Sequence, residues 1–266
     1  MSKLTIRPIV TGYVPTYKKL YHYHHSVHPY RQDVDNEKLL LPTIVYLVEG
    51  GQGLVLVDTG QAWTERSDKY HHSGSFQPEG FSIPERLASL DLKPTDVDKV
   101  IFTHMHWDHV FYMEQFINAQ FIAQRKEYEF ALDPIGVYYK SYEHPILDIK
   151  RPFEDVKVDV VDGEEEIIPG VRVYPSPGHS PGHQNVAVET SEGTYHCCGD
   201  SIFIYDNLEP VPELHYDITP PARFANIIEC WRSIEDLKTR ARSREFILPS
   251  HEPAIEQLIK ERPILG

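Results

Sequence analysis

The sequence of 266 residues is poor in cysteine and in positive charge, and it has no long apolar run. Its three cysteines include the adjacent pair Cys197 and Cys198 but no CxxC pair, which argues against a disulfide framework. The 26 lysines and arginines are outnumbered by 40 acidic residues, and the net charge of −14 argues against nucleic acid as a partner. No apolar stretch approaches the roughly 18 residues of a membrane-spanning helix, so we expect no membrane partner. The first residues lack the apolar segment of a secretory signal, and we therefore expect a cytoplasmic protein.

Short strands alternate with short helices along the chain, which predicts an α/β fold. A Ser82–Glu85 capping box opens one helix, and Thr219-Pro220-Pro221 is expected to cap another that carries Ile227, Trp231 and Ile234. A further helix is predicted over 126–132. Apolar runs bounded by turn residues predict strands at 43–48, 54–58, 98–103, 119–123, 171–175, 184–189, 194–198 and 246–249.

Two stretches fit neither pattern. Residues 13–31 hold five tyrosines among four histidines, and residues 61–81 form a long polar segment. Each is expected to be a loop over a site or at a subunit contact. For 13–31 we favour a packed extension with an aromatic anchor over a substrate lid. We expect one domain over 1–266, with 1–42 as an N-terminal extension and 61–81 as a loop insertion.

The densest chemical pattern is the run His104-Met105-His106-Trp107-Asp108-His109. It directly follows a predicted buried strand. His104 and His106 lie on the same side of an extended segment, while Asp108 and His109 lie where the chain turns away. Imidazole and carboxylate groups suit zinc and similar divalent ions. This one loop can therefore supply ligands to two metal sites.

Three more residues of ligand type, His179, Asp200 and His251, each follow a predicted strand beside glycine or proline. A loop at such a place can direct a side chain into a cleft. His183 is expected to support the site rather than to bind metal. The predicted ligands are His104, His106, Asp108, His109, His179, Asp200 and His251.

These motifs together resemble the metallo-β-lactamase superfamily. The resemblance rests on HxHxDH at 104–109, the Asp58-Thr59-Gly60 turn, SPGHSPGH at 176–183, Gly199-Asp200 and His251, and it spans roughly residues 43–253. It implies an αββα sandwich of two mixed sheets flanked by helices, and a metal-dependent hydrolase. It also implies that His104, His106 and His179 hold one ion and that Asp108, His109 and His251 hold the other. Asp200 would bridge the ions, and Asp58 would orient a ligand.

Within that superfamily the chain is most similar to the N-acyl homoserine lactonases. Those lactonases carry a substrate-contacting tyrosine three residues after the bridging aspartate, where this chain has Phe203. Tyr205 lies two residues further on and is our candidate to replace it. Glu252 follows the final histidine, where a similar lactonase often has aspartate.

Such a site would act through a water shared by two cations, whose pKa falls toward neutrality. The resulting hydroxide would attack a carbonyl carbon, and Asp108 is our candidate to pass a proton to the leaving oxygen. No GxSxG motif is present. We therefore expect a two-metal hydrolase that opens a lactone or a related ester.

The ions are expected to be zinc, with iron, manganese or cobalt as alternatives. One alternative function is a thioesterase of the glyoxalase II type, although only 15 residues follow His251 where those enzymes add a helical region. The other is a non-catalytic metal-binding sensor, which loss of ligands would indicate. The expected partner is a small lactone or ester, and the chain is expected to form a homodimer.

Overall fold

The computed structural model of the chain describes residues 4–24 and 37–266. Within these ranges eleven strands and five α-helices have both of their ends described. The strands are β1 (Thr5–Tyr17), β2 (Lys38–Gly51), β3 (Gly53–Val57), β4 (Val97–Ile101), β5 (Gln120–Gln124), β6 (Val158–Val161), β7 (Glu165–Ile168), β8 (Val171–Pro175), β9 (Gln184–Glu189), β10 (Thr194–Gly199) and β11 (Ile247–Pro249). The helices are α1 (Thr64–Tyr70), α2 (Ile83–Ala88), α3 (Arg125–Leu132), α4 (Ile227–Ala241) and α5 (Ala254–Glu261).

The described strands form two mixed sheets. The first has the order β1-β2-β3-β4-β5-β6, and the second has the order β11-β10-β9-β8-β7. In the first sheet β1, β2 and β3 pair antiparallel, whereas β3 to β6 pair in parallel. In the second sheet β10 and β11 are parallel and the remaining pairs are antiparallel. The predicted class of two mixed sheets is confirmed.

The two sheets pack face to face over a shared apolar core. Val55 and Val57 of β3 and Val186 and Val188 of β9 belong to this core, whereas Leu56 belongs to the cluster on the opposite face of the first sheet. Side chains alternate between faces along a strand, so each strand serves two layers. The sequence of β3 reads as a continuous apolar run for this reason.

Helices cover the outer faces. Ile83 and Leu87 of α2 pack in the outer cluster of the first sheet, and Ile234 and Leu237 of α4 pack with Cys198 on the second. These layers complete the αββα sandwich of a metallo-β-lactamase fold. The described part of the chain contains no helix that is both long and apolar enough to cross a bilayer.

The loops of the predicted site leave like-oriented strand ends. β3 and β4 run in parallel, and they precede Asp58 and the run that starts at His104. β10 and β11 also run in parallel, and β8 shares their direction because β8 and β10 are each antiparallel to β9. These three strands precede Asp200, His251 and His179. In each sheet the ligand-bearing loops therefore emerge at one edge.

The predicted start of one helix is confirmed and that of another is wrong. Ser82 begins α2 with a capping box, in which the Glu85 carboxylate accepts from the Ser82 N–H at 3.2 Å. The expected cap at Thr219 fails, because α4 begins only after Asn226, whose side chain accepts hydrogen bonds from two N–H groups of the first turn. Thr219 instead donates its hydroxyl to the Glu209 carbonyl at 2.9 Å.

The expectation of loops over 13–31 and 61–81 is only partly correct. Residues 13–17 are strand, because they end β1, which pairs with β2 as the edge strand of the first sheet. Pro15 and the surrounding tyrosines obscure the alternation of apolar and polar residues that would reveal a strand. Proline is tolerated here because β1 lies at the edge of the sheet. Residues 5–17 thus belong to the sheet rather than to an extension before it. Residues 61–81 contain α1, and residues 25–31 lie outside the described ranges.

Candidate metal centre

Asp58 clamps the end of β4 to a histidine. Its carboxylate accepts hydrogen bonds from the N–H and the hydroxyl of Thr103 at 2.7 and 2.8 Å. It also accepts from Nδ1 of His109 at 2.9 Å. Because His109 donates through Nδ1, its Nε2 is the ring nitrogen left to face a metal ion. Asp58 therefore orients a predicted ligand, as the resemblance implies.

Three imidazole nitrogens form the first group of potential ligand atoms. The Nε2 atoms of His104 and His179 lie 3.0 and 2.9 Å from Nδ1 of His106. All three rings are buried. Burial and the neighbouring imidazoles lower the pKa values of His104 and His106 well below the usual range. These two rings are therefore neutral, which is the form that binds metal.

A second group combines one carboxylate with two imidazoles. Nε2 of His251 lies 3.5 Å from Oδ2 of Asp108, and Nε2 of His109 lies 3.8 Å from Oδ1 of the same carboxylate. The His251 ring is fixed by its other nitrogen, Nδ1, which donates to the backbone carbonyl of Pro42 at 2.8 Å. Its Nε2 is thereby directed at the carboxylates.

Asp200 lies between the two groups and presents one oxygen to each. Its Oδ2 is 3.3 Å from Nε2 of His179 and 3.9 Å from Nε2 of His104. Its Oδ1 is 3.3 Å from Nε2 of His251 and 3.5 Å from Nε2 of His109. Burial alone would raise the pKa of Asp200, but the surrounding imidazoles hold it well below its usual range. This ionised carboxylate is placed as a bridge requires.

Two orphaned atoms test whether metal ions fit this centre. Nε2 of His109 and Oδ1 of Asp200 are buried, and neither has a hydrogen-bond partner among the described residues. A buried polar atom without a partner costs about 1–3 kcal/mol. A cation between them would satisfy both, and a donor set of imidazole nitrogens and carboxylate oxygens suits zinc. The residues present therefore fit the predicted pair of ions.

The structure brings all seven predicted ligands together, although their sequence positions span 104–251. Their role as ligands stays a prediction. They form three overlapping groups, which are His104–His106–His179, His104–His109–Asp200 and Asp108–His109–His251.

Glu127, which the sequence did not single out, ties the two main ligand loops together. This buried carboxylate in the first turn of α3 accepts hydrogen bonds from the Met105 N–H at 2.9 Å and the Tyr142 hydroxyl at 2.9 Å. It also accepts from the Ser180 hydroxyl at 2.6 Å and the Gly182 N–H at 3.0 Å. A Cβ on Gly182 would collide with the Glu127 backbone, so only glycine allows this approach. In the sequence Glu127 reads as an ordinary first-turn acid of a helix.

His183 supports the bridging aspartate without joining the ligand groups. Its Nε2 accepts the backbone N–H of Asp200 at 3.1 Å, and its Nδ1 lies 2.7 Å from the Ser176 hydroxyl. Burial lowers the pKa of His183 well below the usual range, so the ring is neutral. This placement agrees with the supporting role expected from the sequence.

The structure does not bring Tyr205 into the site. Its hydroxyl donates to the carbonyl of Ile247 at 3.0 Å, and its backbone N–H donates to the Glu252 carboxylate at 2.6 Å. With these two bonds the side chain packs in the apolar layer beneath α4. Tyr205 as a replacement for the lactonase tyrosine is therefore wrong. Phe203 faces the site, with its ring 5.6 Å from that of His251.

A second phenol, Tyr21, packs on Phe203 with ring centroids 4.8 Å apart. Burial raises the pKa of Tyr21, while Arg223 opposes the rise and the carboxylates of Asp200 and Asp108 add to it. Tyr21 lies in the segment 13–31, whose concentration of tyrosines was the only signal for it.

A cavity of about 330 Å³ opens above the two ligand groups. Asp108 and Asp200 line it, together with His106, His179 and His251. Other parts of its wall come from the aromatic side chains of Tyr21, Trp107, Tyr138, Phe203 and Phe224. The two ligand groups are therefore accessible from a cavity whose wall is partly aromatic.

Known proteins share both the sequence pattern and the fold. The model of the metallo-beta-lactamase superfamily matches residues 39–251. The N-acyl homoserine lactonase of Bacillus thuringiensis is 33% identical over 192 residues, which cover 68% of this chain and 72% of that protein. The N-acyl homoserine lactonase AttM of Azorhizobium caulinodans is 26% identical over 238 residues, which cover 84% and 86%.

Among solved structures, an N-acyl homoserine lactone hydrolase with N-hexanoyl-L-homoserine at its catalytic metal centre aligns with a TM-score of 0.76. It is 24% identical and covers 97% of each chain, which shows a shared fold. The dizinc lactonase AidC aligns with a TM-score of 0.69 at 15% identity, covering 95% of this chain and 89% of AidC. The chain therefore belongs to the metallo-beta-lactamase superfamily, and it is a metal-dependent hydrolase whose relatives are lactonases.

Proposed function

We propose that the protein opens a lactone ring by hydrolysis at two divalent ions, and that the substrate is an N-acyl homoserine lactone or a similar lactone. The observation that carries this proposal is the position of Asp200, whose two oxygens face different groups of imidazoles. The lactonases among its relatives support the choice of a lactone over other esters. We propose zinc for both ions, because imidazole and carboxylate ligands suit it.

The ions, when bound, would supply the charge that ionises a shared water and polarises the substrate carbonyl. Asp200 would hold the two ligand groups in register. Asp108 is only 9% exposed and lines the cavity, so its carboxylate can carry a proton to the leaving oxygen of the opened ring. Phe203 supplies an apolar face and no hydrogen bond. Tyr21, which packs on Phe203 and lines the cavity, is our candidate phenol for contact with the substrate.

The test combines metal analysis with hydrolysis of a substrate panel. The protein is loaded with zinc, and bound metal is counted by inductively coupled plasma mass spectrometry. Loss of N-acyl homoserine lactones, other lactones, aryl esters and thioesters is then followed. We expect two ions per chain and the highest kcat/KM on lactones. Two ions with turnover of thioesters alone would favour the thioesterase, and two ions with no turnover would favour a sensor.

A further inference from the structure

The cavity above the ligand groups has a positively charged rim, although the protein as a whole carries a net charge of −14. Its acidic lining residues are Asp108 and Asp200, which belong to the ligand groups. Lys140 and Arg223 also line the cavity, and both side chains are exposed. Once two divalent ions balance the carboxylates, the whole accessible lining is neutral or positive.

Arg223 is held in place by its own backbone. Its carbonyl oxygen accepts a hydrogen bond from Nδ1 of His179 at 3.3 Å. The backbone of Arg223 is therefore bonded directly to a predicted metal ligand. The guanidinium carbon lies 5.9 Å from the centre of the Tyr21 ring, which is part of the cavity wall. The main chain thus anchors Arg223 at the rim, and its exposed side chain is accessible to a ligand.

Lys140 belongs to another part of the rim. Its backbone carbonyl accepts from Nδ1 of His71 at 3.0 Å, and the His71 ring stacks on Trp107 at 4.4 Å. His71 and Trp107 also line the cavity. The segment that carries Lys140 is therefore fastened to the loop that carries the ligands.

Within residues 4–24 and 37–266, neither Lys140 nor Arg223 has a carboxylate partner within ion-pair distance. Some other cations of the fold do have one, such as Arg66 with Glu143 at 2.8 Å. His72 also lines the cavity, and its Nδ1 atom is buried and has no hydrogen-bond partner in these ranges. Burial and the charge of Arg223 lower the pKa of His72, which leaves a neutral hydrogen-bonding group in the lining of the same cavity.

We propose that the natural substrate carries an anionic group, a carboxylate or a phosphate, in addition to the ester that is hydrolysed, and that Arg223 and Lys140 bind this group at the cavity rim. The inference rests on the proposed function, because it assumes that the carbonyl lies at the ligand groups. A guanidinium and an ammonium that have no carboxylate partner among the described residues suit such oxyanions. The aromatic wall between rim and ligand groups would hold the uncharged body of the substrate.

Two matched lactones test the proposal. One is an N-acyl homoserine lactone whose acyl chain ends in a carboxylate, and the other carries the primary amide in place of that carboxylate. We expect the zinc-loaded protein to prefer the anionic lactone by about fivefold or more in kcat/KM, mainly through KM. Added salt should reduce the preference, because it screens exposed charges. Equal kcat/KM for both lactones would overturn the proposal.

Variants locate the charge responsible. Arg223→Gln and Lys140→Gln should each reduce the preference for the anionic lactone by about twofold, and the double variant should abolish it, whereas Arg223→Lys should keep most of it. The backbone bond to His179 survives these changes. Arg232→Gln is the control, because it removes another exposed arginine that lies outside the cavity lining. A preference that survives the loss of both rim charges, or that Arg232→Gln reduces as strongly, would contradict the assignment.

A binding measurement separates this proposal from the proposed function. The ring-opened products of the two lactones differ only at the chain end, and their affinities for the zinc-loaded protein are measured by isothermal titration calorimetry. If neither lactone is hydrolysed, the proposed function fails, but the affinities of the two products still test whether the rim binds an anionic group. Tighter binding of the anionic product, lost in Arg223→Gln, would support the anion site. Equal affinities would reject it.

Discussion

Replacing Glu127 by glutamine tests whether one buried carboxylate holds the two main ligand loops in register. One oxygen of Glu127 accepts from the Met105 N–H and the Tyr142 hydroxyl, and the other accepts from the Ser180 hydroxyl and the Gly182 N–H. Glutamine must place its NH₂ group at one of these ends. The hydroxyl there can rotate and accept, but the backbone N–H cannot, and it loses its acceptor.

The free energy of this change follows from the contacts. A stranded buried N–H costs about 2 kcal/mol, and the loss of charge from the remaining bonds costs about 1 kcal/mol more. We therefore expect Glu127→Gln to lower the free energy of unfolding by about 3 kcal/mol, which leaves a domain of ordinary stability folded. Because displacement of a reacting group by about 1 Å can cost 100-fold in rate, kcat should fall by about 10- to 100-fold.

The assay is urea unfolding of the metal-free protein, so that metal binding does not contribute to the measured stability. Metal content and kcat are measured on the zinc-loaded protein. Glu129→Gln is the control, because Glu129 is an exposed glutamate on the same helix. If Glu127→Gln matched Glu129→Gln in stability within about 0.5 kcal/mol and kept full activity, the positioning role of Glu127 would be refuted.

Four further predictions concern the site and its support. His106→Ala and Asp108→Asn should each lower lactone hydrolysis by at least about 100-fold, and full activity with full metal content in either variant would contradict the ligand assignment. Tyr205→Phe should leave kcat/KM within about twofold and reduce stability by about 1 kcal/mol, whereas Tyr21→Phe should lower kcat. A fall in kcat for Tyr205→Phe with unchanged kcat for Tyr21→Phe would restore Tyr205 as the substrate contact. Gly199→Ala should lower the free energy of unfolding in urea by about 2 kcal/mol or more. The reason is that φ at Gly199 is 48° and a Cβ would lie 2.5 Å from the Thr103 hydroxyl. Unchanged stability would show that the turn can relax. Chelation of bound metal should abolish hydrolysis and lower Tm, with zinc restoring both, and activity that persists in the metal-free protein would exclude a metal mechanism.

Local patterns predicted the elements that depend on neighbouring residues. The Ser82 capping box formed because its partners are three residues apart. The strands before His104, His179, Asp200 and His251 were recognised from short apolar runs, which are buried between layers in the fold. Edge strand β1 was missed, because Pro15 and exposed tyrosines hide its alternation. The Thr219 cap failed because Thr219 found a distant acceptor in the Glu209 carbonyl.

Tyr205 shows most clearly where sequence reasoning ends. Its position, five residues after Asp200, left its direction open. Its N–H is bound by Glu252 and its hydroxyl by the Ile247 carbonyl, and both partners lie more than 40 residues away in the chain. These bonds rotate the tyrosine away from the ligand groups. The side chain of Tyr21 reaches the cavity from the opposite end of the chain.

The sequence by itself predicted the candidate donor set of five histidines and two aspartates, and it predicted that these donors lie in loops that follow strands. Those properties reside in residue type and local spacing. The tertiary structure decided that the loops converge, that Asp200 faces both groups, and that Glu127 joins the loops at 105 and 180–182. It also decided which charges line the rim. Such contacts arise between residues far apart in the chain, and only the packing of the two sheets and their helices brings them within hydrogen-bonding distance.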